Sequence, residues 1–163
     1  MRTSDRRARA LVSVLAATLT LMTVITPAAA AVPQDVAIVS PMTFNDPGPN
    51  TGTFTTSGNA TESGLICPSG TVVDTRYVVG GFQSGHKVQI LVLKDFTCDD
   101  DSGTFFVKIQ VHAAFDGTES FTWVVQGGTD AYEHLRGSGD GSTVGNPDPS
   151  TGNTNYYVGF VIG

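Results

Sequence analysis

Gly103-Thr104-Phe105-Phe106-Val107-Lys108-Ile109-Gln110-Val111-His112-Ala113 and, past a turn at Asp116-Gly117, Glu119-Ser120-Phe121-Thr122-Trp123-Val124-Val125-Gln126 decide the fold. Apolar and polar residues alternate through both halves. That is the period of a strand with one face in a core and the other in water. Phe105, Val107, Ile109 and Val111 share one face of the first strand, and Phe121, Trp123 and Val125 share one face of the second. Lys108, Gln110 and His112 then lie on the wet face. The pattern predicts an antiparallel hairpin with a bulky apolar inner surface.

The same signal recurs on both sides of the hairpin. Upstream, residues 36–39, 53–56, 71–79 and 87–94 read as strands, with a loop over residues 57–64. Gly80-Gly81 marks a bulge or bend. The middle of residues 87–94, Ile90-Leu91-Val92-Leu93, is apolar on both faces. That predicts a central strand, or one whose outer face meets the chain termini. Beyond Gly139 the chain is mostly turn residues until residues 154–162, the last strand. Seven or eight strands without an amphipathic helix leave a barrel or a sandwich. An immunoglobulin-type sandwich places its tryptophan between two cysteines, whereas Trp123 follows both Cys67 and Cys98. The reading is therefore all-β, a single antiparallel barrel over residues 31–163, with no internal repeat and no second domain.

Residues 1–30 read as a secretory signal peptide. Arg2, Arg6, Arg7 and Arg9 form a basic head, residues 10–25 an apolar core, and Ala28-Ala29-Ala30-Ala31 a small-residue cleavage site. The apolar core is shorter than the ~20 residues of a membrane span. Cleavage after Ala30 or Ala31 predicts an extracellular protein. Four of the 9 Lys and Arg lie in this leader, but only Asp5 of the 15 Asp and Glu does, so the remainder carries about −9. So few cations exclude a phosphate-backbone footprint and a basic membrane-binding surface.

Cys67 and Cys98 are the only cysteines, and an even count in an exported chain reads as one disulfide. A thiolate nucleophile is the weaker alternative in an oxidising compartment. Asp99-Asp100-Asp101-Ser102-Gly103 lacks the spaced oxygens of a helix-loop-helix calcium site and reads as a hairpin turn. His86, His112 and His134 fall in three different segments, with no pair at metal-ligand spacing. Asn59-Ala60-Thr61 matches a glycosylation sequon. No nucleophile elbow, phosphate-cradling glycine loop or cofactor motif is present. Asp74 and Arg76, two apart in a strand, are expected to share a face. Outside a barrel they form an ordinary surface ion pair; inside, they would orient a ligand.

Gly127-Gly128-Thr129-Asp130-Ala131-Tyr132-Glu133-His134-Leu135-Arg136-Gly137-Ser138-Gly139 resembles a turn of the allene oxide cyclase-like and dirigent-like barrels. Glycines permit one tight helical turn, Tyr132 and Leu135 plug the barrel, and the chain re-enters a strand. The resemblance covers residues 103–139. It implies an eight-stranded antiparallel barrel with an apolar cavity for lipid-like or phenolic molecules. The cyclases use a glutamate near the first strand, and residues 36–44 contain none. Dirigent proteins use an arginine and an aspartate inside the cavity, for which Asp74 and Arg76 are the candidate counterparts. The expected ligand-contacting set is Asp74, Arg76, Phe105, Val107, Phe121 and Trp123. Three roles follow in order: binding of a small apolar ligand or a structural role, then isomerase or cyclase chemistry on the same fold.

Overall fold

Eight strands run in chain order, each antiparallel to the next, and the last closes onto the first. They are β1 (Gln34–Thr43), β2 (Thr51–Ser57), β3 (Ser69–Gln83), β4 (Lys87–Cys98), β5 (Thr104–Ala114), β6 (Glu119–Gly128), β7 (Arg136–Gly145) and β8 (Gly152–Ile162). This computed structural model describes residues 31–83, 87–114 and 119–163. The leader, His86 and the Asp116-Gly117 turn lie outside the described residues. Closure runs from Gln34↔Val161 to Thr43↔Gly152, so the expected last strand seals the barrel.

The hairpin's alternation survives as burial. Phe105, Val107, Ile109, Phe121, Trp123 and Val125 are buried, Val111 is half-buried, and Lys108, Gln110 and Thr122 face out. Gly80-Gly81 coincides with a register shift between Val79 and Phe82 in the β3–β4 pairing. The double-sided apolarity of β4 does not make it a central strand. Every strand in a closed barrel has two neighbours, so none is central; Leu91 and Leu93 are half-buried on the outside.

One end of the barrel is filled. Phe96 stacks on Phe105 at 4.9 Å, and Phe54 meets both edge-on at 5.2 and 5.6 Å. Tyr157 bridges this group to Phe121 and Trp123. Such edge and offset contacts suit the ring quadrupoles. Strand β7 has no apolar side chain to offer here, because Gly137, Gly139 and Gly141 occupy its inward positions. The space is taken from next door. A Cβ on Gly139 would lie 2.9 Å from Trp123 Cε2, and one on Gly141 2.2 Å from Phe121 Cε2. The indole Nε1 donates to the Asp140 carbonyl at 3.1 Å, which satisfies its polar edge.

The same end is plugged and stapled. Cys67 and Cys98 form the expected disulfide, with Cα atoms 6.0 Å apart. A 3-10 turn at Asp130–Tyr132 drives Tyr132 and, just beyond it, Leu135 into the core. Tyr132 Oη accepts from the Cys67 amide at 3.1 Å and lies 2.7 Å from Ser102 Oγ. The acidic run is a turn: Asp100 Oδ1 accepts from the Ser102 amide at 3.0 Å, and Gly103 takes a φ of 129°. The expected loop at residues 57–64 contains one helical turn, α1 (Asn59–Glu62), which buries Ala60. Asn59, the sequon asparagine, is exposed and donates its Nδ2 to Asp35.

Candidate functional site

The opposite end is hollow. A cavity of about 610 Å³ opens between the ends of the strands and the segment following β1. Ile90, Val92, Ile109, Val111 and Phe121 supply its apolar wall. These are inward positions of β4, β5 and β6, so the wall is a direct product of the period-two patterning. Phe44 and Tyr77 stand at its rim, each substantially exposed.

Asp74 and Lys94 set a buried ion pair beside this apolar wall. Their Cα atoms pair directly across β3 and β4, and Lys94 Nζ donates to Asp74 Oδ1 at 2.5 Å. Both side chains are at least nine-tenths buried. Asp74 Oδ2 also accepts from Asn50 Nδ2 at 3.0 Å, and its amide donates to the Asn50 carbonyl. Asn45 Nδ2 in turn donates to the Pro49 carbonyl and Thr51 Oγ1, so the β1–β2 loop is tied down beside the pair. Burial lowers the Lys94 pKa, and the Asp74 charge and hydrogen bond oppose that fall. A charge in this setting persists only because its counter-ion is in contact.

The expected pairing of Asp74 with Arg76 is overturned. The β3–β4 register runs Asp74↔Lys94 and then Arg76↔Leu93, leaving Thr75 as an extra residue. Such a bulge inverts the facing of everything beyond it. Asp74 therefore points into the barrel, while Arg76 is exposed outside. Thr75 Oγ1 donates to the Leu93 carbonyl at 3.3 Å at the irregular position. Among the other expected contact residues, Phe121 lines the cavity, whereas Phe105, Val107 and Trp123 are packed in the barrel without lining it.

Lys94 was readable from sequence. It lies two residues from Val92 and two from Phe96, so alternation puts it on their buried face. Its partner was not, because only the register across the bulge identifies Asp74. Asn153 and Asn155 on β8 also line the cavity. Asn155 Oδ1 accepts from Thr143 Oγ1 at 3.0 Å, whereas Asn153 Oδ1 is buried without a hydrogen-bond partner among the described residues. Half-buried His112 and exposed His134 stand apart from this lining. Among the described residues, no group of three or more His, Cys, Asp or Glu is placed to hold a metal ion. Comparisons of the chain with protein-family models, curated proteins and solved structures find no match.

Proposed function

We propose that this protein binds a small, largely apolar molecule in the open end of its barrel and does so without transforming it. The observation that carries the reading is the cavity of about 610 Å³, with apolar walls and a buried Lys94–Asp74 pair beside them. That volume suits a small molecule, and the lining joins an apolar wall for its body to a comparable number of polar side chains that would orient it. A wholly structural barrel would fill both ends with its own side chains, as Phe54, Phe96 and Phe105 fill one. The likeness of residues 103–139 to the allene oxide cyclase-like and dirigent-like barrels points the same way. Catalysis of the dirigent type is less well supported, because only Asp74 of the Asp74–Arg76 pair faces inward. We place the protein outside the cell, a reading that the leader motivates and the disulfide fits.

The test is a titration of the full chain with N-phenyl-1-naphthylamine, an uncharged dye that brightens in apolar surroundings. Saturable binding is expected in the parent. Val111→Trp, which pushes an indole into the cavity, should weaken it about tenfold or more while the near-ultraviolet dichroism of the filled end persists. No saturable binding by the folded parent, or binding indifferent to the substitution, contradicts the reading.

A further inference from the structure

The charges and hydrogen-bonding atoms of the cavity say which polar end its ligand carries; this deepens the binding reading above and rests on it. Among the described residues, the charged side chains lining the cavity are Asp46, Asp74, Glu119 and Lys94. Lys94 is the single cation, and it is already held by Asp74 at 2.5 Å. Among the described lining residues Asp46 and Glu119 are left without a cation, and the formal charge of those residues is −2. The low-dielectric wall of β4–β6 beside these charges focuses their field toward an entering molecule.

An independent observation has the same sign. Asn153 lines the cavity, and its Oδ1 is buried and has no hydrogen-bond partner among the described residues. A buried carbonyl oxygen left in that condition costs free energy, which a donor on the ligand would recover once the Asn153 side chain turns toward the cavity. A carboxylate has no proton to offer it and would meet uncompensated like charge from Glu119 and Asp46. A protonated amine supplies both the donor and the complementary charge. The rim adds a third contribution, since Phe44 and Tyr77 present exposed aromatic rings where a cation entering the cavity would pass.

We propose that the cavity selects apolar molecules ending in a protonated amine and rejects those ending in a carboxylate. The tail lies against Ile90, Ile109 and Phe121, and the ammonium sits among Glu119, Asp46 and Asn153. Recognition requires no bond to be made or broken.

The experiment displaces N-phenyl-1-naphthylamine from the full chain with decylamine or decanoate, at neutral pH and below the micelle-forming concentration of each. The tails are nearly matched in length and the charges are opposite, so the ratio of the two displacement constants isolates the polar end. Decylamine should displace the dye at about tenfold lower concentration than decanoate, and the ratio should shrink as salt is added. In Glu119→Gln the ratio should fall by about threefold or more, and as a ratio it is independent of any change in dye affinity. Decanoate displacing as well as decylamine, or a ratio unaffected by Glu119→Gln and by salt, overturns the selectivity. Failure of the dye to bind at all overturns the cavity reading itself, which separates the two outcomes.

Discussion

At the scale of single residues, two sets of buried polar groups in the barrel are held under different terms. Lys94 and Asp74 have each other, so removing one leaves an uncompensated charge, whereas removing both leaves an apolar contact. Lys94→Met is expected to cost about 3 kcal/mol, and Lys94→Met with Asp74→Leu to recover most of that loss. Equal losses in the single and double variants, read by urea denaturation, would mean that the pair is not coupled. Tyr157 has a buried hydroxyl with no partner among the described residues. Burial, then the Asp74 charge, raises its pKa well above the ordinary 10.0. Above about pH 10 the unfolded chain releases that proton first, so stability is lost as pH rises past this value. Lys94 has the opposite sign: its folded pKa lies below 10.5, the unfolded chain keeps the proton longer, and its contribution rises with pH up to about that value. Tyr157→Phe removes only the first effect. It should gain about 1 kcal/mol at neutral pH and soften the alkaline loss. An unchanged alkaline limb would show that the hydroxyl is satisfied in the native protein.

At the scale of elements, β5 and β6 were legible because each carries its own inner face. Trp123, 1% exposed, and Thr122, its outward neighbour, make the contrast measurable. Trp123→Ala should cost about 3–5 kcal/mol, and Thr122→Ala almost nothing. Comparable small losses at both would refute the facing. Strand β7 was legible only at its start, because three of its inward residues are Gly137, Gly139 and Gly141, and the rings that fill their share of the core belong to β6. Periodicity reports what a strand contributes, so a strand that contributes space is silent to it. Gly141→Ala tests this: its Cβ would meet the Phe121 ring and the Tyr156 carbonyl, at an expected cost of about 2 kcal/mol. The penalty should be smaller in a Phe121→Leu background, and strict additivity would show that Phe121 does not occupy the space. The Thr75 bulge hid the site for a related reason. Alternation extrapolated from Asp74 to Arg76 assumes an unbroken ladder, and one inserted residue reverses the result.

At the scale of the whole molecule, the two ends of the barrel divide the labour. The disulfide, Tyr132 plug and stacked phenylalanines make one end rigid. Reducing the bridge, which closes a separation of 31 residues, should cost on the order of 3–4 kcal/mol on the loop-entropy model. The other end spends stability on a hollow lined partly with charge, where Asn50 adds a hydrogen bond to the Asp74 side of the Lys94–Asp74 pair. Proteins carry such locally costly features chiefly where a function requires them. The central claim is that this hollow is a binding site. A crystal structure of the full chain grown with decylamine tests it most directly. Density for the amine should lie inside the open end, its tail against Ile109 and Phe121 and its nitrogen toward Glu119 and Asn153. An open end closed by its own side chains, or amine bound only on the outer surface of the barrel, would contradict the account.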